Sequence, residues 1–145
     1  MEIFIRNIVP DDAEDIARLT AQLGYSLSLT ETAQNIKAIR EHKDHDAFVA
    51  IYEGHIVGWI GVSHAIQLET LPFCEIRGLV VDDQYRKMGI GKLLIEKAKQ
   101  WCRNKGNNLL RLRCNVKRTE THLFYLHLGF QEKKEQKVFE ITVMD

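Results

Sequence analysis

The stretch at residues 82–101, DDQYRKMGIGKLLIEKAKQW, constrains the fold more than any other. Gly89 and Gly91 stand at the threshold of a helical pattern in which Leu94, Ile95, Ala98, Trp101 and Cys102 recur on one face. The apolar run GLVV just before it, residues 78–81, reads as a strand. A strand that feeds a helix through glycines bares the first helical N–H groups, which have no intrahelical acceptor and carry about half a positive charge. Such a corner attracts anions. Arg86, Lys87 and Lys92 add positive charge beside it, so a phosphate or pyrophosphate is the best-matched ligand.

Two phosphate loops of other folds do not fit. A Walker loop needs Ser or Thr after Gly-Lys, but Leu93 follows Lys92, and Arg86 occupies the first glycine position. A dinucleotide fingerprint needs Gly or Ala where Leu94 stands. On Gly-x-Gly alone, a plain strand-to-helix turn with solvated basic residues stays open as the alternative.

The rest of the chain can be laid out around this corner. EIFIRNIV alternates as a first strand that Pro10 ends. Asp11 and Asp12, with Glu14 and Asp15 three residues on, predict a capped helix with Ala13, Ile16, Ala17 and Leu23 inward and Gly24 as its stop. Ser28 and Glu31 predict a second capping box, ahead of Ala33, Ile36 and Ile39. AFVAIYE and HIVGWIGVSHAIQL form an expected hairpin about Gly54, and FCEIRGLVVD a third strand in which Gly78 signals a bulge or a close backbone approach. After the helix that Gly106 ends come a strand, LLRLRCNV, a short helix, TETHLFYLHL, and a last strand, KVFEITVM. The order is β-α-α-β-β-β-α-β-α-β. Strand, crossover helix and strand over residues 81–116 imply a parallel pair within a mixed central sheet, an α/β (α+β) fold.

At 145 residues, 45% hydrophobic and 28% charged, the chain is expected to be one soluble domain spanning 1–145. Twenty basic and twenty acidic residues cancel, which argues against nucleic-acid and membrane-surface partners and makes any anion site local. Three cysteines without CxxC spacing read as reduced, packed thiols and point to a cytoplasmic setting. The N-terminus lacks a signal-peptide pattern, and no apolar run nears the ~20 residues of a membrane span. No metal site is expected: His42 and His45 lie in a charged loop without a third ligand, and His122 and His127 fall on different faces of a helix.

The spacing Val81-x-x-x-x-Arg86-x-x-Gly89-x-Gly91 resembles the pyrophosphate-binding motif of the GNAT superfamily of acetyl-CoA-dependent N-acetyltransferases. NVKRTETHLFYLHLGF resembles that superfamily's second signature, with Asn115 ending a strand, Tyr125 ten residues later, and Gly129-Phe130 closing it. NVKR followed by His and FY is similar to the aminoalkylphosphonate N-acetyltransferase branch. The chain departs from common members at Asp83, Arg118 and Thr121, where Pro, Asn and Ala are usual. The last two positions lie beside the implied pantetheine channel.

The resemblance implies a fold in which strands at 75–81 and 110–116 splay to form an acetyl-CoA cleft. Backbone at Leu79, Val80 and Val81 would pair with the pantetheine arm. Arg86 and the N–H groups of Lys87, Met88, Gly89, Ile90, Gly91 and Lys92 would hold the pyrophosphate. Asn115 and Tyr125 would contact the same cosubstrate. An alkyl amine is mostly protonated at neutral pH, and removing its proton costs about 4–5 kcal/mol. Glu75, on the cleft strand, is the candidate base, with Glu69 as the fallback. A solvent-exposed Glu75 ion-paired to Arg77 is the competing role. A strand N–H near Leu79 or Val81 would support the oxyanion. Tyr125 matches the superfamily's general acid, and packing with Leu123, Phe124 and Leu128 is its alternative. The implied activity is acetyl transfer to a primary amine of a small molecule by direct attack. Protein or peptide N-acetylation, or CoA binding without turnover, are the alternatives. The C-terminal strand of so small a domain could also join a homodimer interface.

Overall fold

The computed structural model describes residues 2–144. The chain falls into two compact units, residues 1–113 and 114–145. In the first, β1 (Ile3–Asn7), α1 (Ala13–Ala21), α2 (Leu29–Glu41), β2 (His45–Tyr52), β3 (His55–Ala65), β4 (Phe73–Val81), α3 (Ile90–Asn104) and β5 (Leu110–Leu112) follow one another. The five strands lie in chain order in one sheet. Neighbours are antiparallel except β4 and β5, which run parallel across α3, as a crossover helix requires. The mixed sheet expected from the sequence is therefore the observed one.

Apolar periodicity decides which helix covers which face. Ile16 and Leu19 of α1 and Ile36 of α2 are buried with Ile8, Val49 and Val80 in one cluster. From the other side α3 packs on β3 and β4, burying Ile90, Leu94, Ile95 and Ala98. Cys74 of β4 and Cys102 of α3 are buried there, and burial pushes the Cys102 thiol up to about 12. Its Sγ–H donates to the Leu109 carbonyl at 3.5 Å, so this thiol packs rather than reacts.

Helix α2 starts as its sequence predicts: Ser28 Oγ accepts from Glu31 N–H, and Glu31 Oε1 accepts from Ser28 N–H, each at 3.0 Å. Asp12 does something else. Pro10–Asp12 forms a short 3-10 turn, and the Asp12 carboxylate looks back to accept from Val9 N–H at 2.9 Å and from both Arg6 terminal nitrogens. The cap expected at α1 is thus spent on joining the end of β1 to the helix start.

The irregularity expected near Gly78 is present. Gly61 pairs with Gly78 and Val62 with Ile76, which leaves Arg77 as the extra residue of a β-bulge. Gly78 itself is required by crowding: a Cβ there would come within 2.7 Å of the Trp59 ring.

In the second unit, α4 (Thr119–His127) carries Tyr125, whose ring meets those of Phe124 and Phe130. The final strand expected over KVFEITVM is not a strand in this structure. No helix or strand is assigned over 131–144, and Val138, Phe139, Ile141 and Val143 stay more than 80% exposed. Alternation supplies a face, but a strand forms only where a neighbour takes its N–H and C=O groups.

Candidate functional site

The glycine corner is built by backbone conformation. Lys87 and Gly89 adopt left-handed φ values of 66° and 82°. A Cβ at Gly89 would meet nothing within 4 Å, so glycine is there for the dihedral and not for room. Leu93 N–H makes the first helical bond, to the Gly89 carbonyl at 3.1 Å, and no side chain caps α3. Among the described residues, the N–H groups of residues 86–92 have no protein acceptor. A run of unpartnered donors at a helix start is the feature an anionic ligand needs. Arg86 is held by Asp83 at 2.6 Å, while Lys87 and Lys92 are exposed.

A brace behind this corner has no signature in the sequence. Buried Asp82 caps the turn after β4, accepting from Gln84 N–H at 3.1 Å and from Arg18 at 2.9 Å. Its own N–H donates to the Val57 carbonyl, and Gln22 accepts from Asp83 N–H at 3.0 Å. Burial alone would raise the Asp82 carboxyl, but the Gln84 N–H and the Arg18 guanidinium outweigh it and hold the group below the usual carboxylate range. Side chains of α1 thereby fix the segment that leads into the corner.

The second element of the site is an opening in the sheet. β4 and β5 pair only from Cys74–Leu110 to Ile76–Leu112, whereas β4 runs on to Val81. The strand expected to reach 116 ends at Leu112. Among the described residues, Leu79, Val80 and Val81 therefore have β3 on one side and no strand on the other.

Glu75 lies at the paired end of this opening and is 5% exposed. Its Oε1 accepts from Arg77 at 2.5 Å, and its Oε2 lies 3.6 Å from Nε of Arg113. The pairing with Arg77 is present, but on a buried carboxylate rather than a solvent-exposed one. Sequence order gave no sign of Arg113. Glu69 lies in the exposed loop between β3 and β4.

Asn115 and Tyr125 belong to the second unit. Asn115 accepts from Lys117 N–H through its side chain, and its carbonyl contacts His122 Nε2 at 2.8 Å. Burial pushes the Tyr125 phenol up from its usual value; Cys114 adds to the shift and Arg118 opposes it. Among the described residues, no group of three His, Cys, Asp or Glu is placed to hold a metal ion.

The model of the acetyltransferase (GNAT) family matches residues 12–130. The chain belongs to the GNAT family. As a member it is an acyltransferase. It is 32% identical over 136 residues to an uncharacterized N-acetyltransferase of Chlorobaculum tepidum, covering 94% of this chain and 76% of the relative. An aminoalkylphosphonate N-acetyltransferase of Salmonella typhimurium is 33% identical over 85 residues, 58% of this chain and 55% of that protein. The structure of an aminoglycoside N-acetyltransferase in complex with CoA has the same fold, with a TM-score of 0.85 over 99% of this chain and 96% of that one at 21% identity. The GNAT chain thus meets the expectation set by its two signatures. No helix among the described residues is long and apolar enough to cross a membrane.

Proposed function

We propose that this GNAT chain transfers the acetyl group of acetyl-CoA to a primary amine of a small molecule by direct attack. The run of unpartnered N–H groups at residues 86–92, beside an opening in the sheet, carries this reading. A structure of the same fold holds CoA. Acetyl-CoA would supply an activated thioester. Residues 87–92 would bind its pyrophosphate with Arg86 beside them, and the free side of Leu79, Val80 and Val81 would take the pantetheine arm as an added strand takes its neighbour. Glu75 is positioned to hold or accept a proton of the amine, and an N–H of the open β4 edge to support developing negative charge. Asn115 and Tyr125 enter the proposal through the second signature, with Tyr125 as the acid that protonates the departing thiolate. Three free cysteines suit a reducing, cytoplasmic compartment.

Calorimetric titration with acetyl-CoA tests the reading. Wild type is expected to bind, and Gly89→Val to lose at least about tenfold in affinity, because a β-branched residue at positive φ is strained by about 1–3 kcal/mol and reshapes the cradle. Absence of heat with the wild type would remove the proposal.

A further inference from the structure

We propose that the acceptor amine also carries an acidic group, a carboxylate or a phosphonate, and that Arg77, Arg111 and Arg113 bind it. This rests on the transfer reading above and names the substrate class of the same site.

Register places these side chains together. Arg111 is paired with Glu75 and shares its face of the sheet. The Arg111 guanidinium sits over the Phe73 ring at 4.2 Å, which fixes its direction. Arg77 is the bulged residue at the point where β4 and β5 part, and Arg113 follows directly on β5. The cluster therefore rims the opening by which the acetyl group would arrive, against the proposed base.

Charge and donor counts both leave a vacancy for an anion. Among the described residues, Glu75 is the only carboxylate within 4 Å of any of the three guanidiniums. Three positive charges against one negative leave two uncompensated. The Glu75 side chain is 7% exposed, while those of Arg77 and Arg113 are 57% and 69% exposed, so the carboxylate holds the pair from beneath and their forks face outward. One bond to Arg77 and one longer approach to Arg113 Nε are the contacts with Glu75. Each guanidinium has five N–H donors, so most are uncommitted. Gathering like charges is unfavourable, and here packing and a buried counter-ion have already met that cost. Outward forks of this kind match the oxygens of a carboxylate or phosphonate bidentately. A polycationic acceptor such as an aminoglycoside would be repelled.

The test uses the CoA-saturated protein and four short amines: aminoethylphosphonate, β-alanine, ethanolamine and ethylenediamine. Calorimetry is expected to find at least one of the two acids bound about tenfold more tightly than ethanolamine, and ethylenediamine weakest. Comparison of phosphonate with carboxylate identifies the acid. Arg113→Gln should reduce acid affinity about tenfold and ethanolamine affinity by much less, and Arg113→Lys should recover only part of the loss because it restores charge without the fork. Equal binding of acids and ethanolamine, tighter binding of the diamine, no binding of either acid, or an Arg113→Gln variant with wild-type preference would each overturn the proposal. Thiol release from acetyl-CoA is followed separately. Arg113-dependent acid binding without any release would sink the transfer reading and leave the acid site standing. Release with ethanolamine as efficient as with the acids would do the reverse.

Discussion

Two single residues carry consequences that can be measured. Asp82 is buried and satisfied by the Gln84 N–H and Arg18. Asp82→Asn should cost about 1–3 kcal/mol by urea unfolding at neutral pH, since it weakens a charge-assisted bond and leaves Arg18 with a poorer partner. The folded-state carboxyl titrates below its unfolded value. Its stabilisation is therefore present above the ordinary aspartate value of about 3.9 and lost as the pH falls through the lowered one, so mutant and wild type should converge on acidification. A gap that widens in acid would contradict this. Tyr125 has the opposite sense: burial raises its phenol, which keeps the proton in place through neutral pH. As the acid, Tyr125 should hold the alkaline limb of kcat above about pH 10, and Tyr125→Phe should lower kcat by about a hundredfold with acetyl-CoA affinity unchanged. Undiminished kcat would assign the ring to packing with Phe124 and Phe130 alone.

At the scale of elements, strand β4 is where most of the proposed chemistry is arranged. Its bulge at Arg77 lets Trp59 of β3 lie across Gly78. Gly78→Ala should destabilise the fold by about 1–3 kcal/mol through overpacking. The cost should shrink in a Trp59→Leu background; additive effects in that double-mutant cycle would mean the ring is not the obstacle. Much of the element pattern is legible beforehand. The α3 periodicity, the Ser28–Glu31 box and the hairpin about Gly54 all involve neighbours within a few residues. One element boundary and one whole strand were not. β5 stops at Leu112 and the segment 131–144 forms no strand, because strand extent depends on what lies alongside, and alternation says nothing of that.

For the molecule as a whole, binding must appear as stability. A ligand at a hundred times its Kd adds about 2.7 kcal/mol when only the folded state binds it. Acetyl-CoA should accordingly raise the unfolding temperature by several degrees, and Gly89→Val should cut the increase by about half or more at the same concentration. An unchanged transition at saturating concentration would count against the cradle. With zero net charge the two proposed anion sites are local, one at the α3 corner and one at the arginine cluster of β4 and the end of β5.

What the chain alone determined is the order of elements as far as α4, the glycine corner at residues 89–91 and the family membership, because turns, caps and helix faces are written between near neighbours. The sheet decided the rest. Arg18 meets Asp82 across 64 positions, Arg113 reaches Glu75 across 38, and Trp59 covers Gly78, each through a register or a helix packing that no short-range pattern encodes. These long-range meetings turn an exposed-looking strand carboxylate into a buried one ringed by guanidiniums, since burial and charge balance are properties of three-dimensional neighbours.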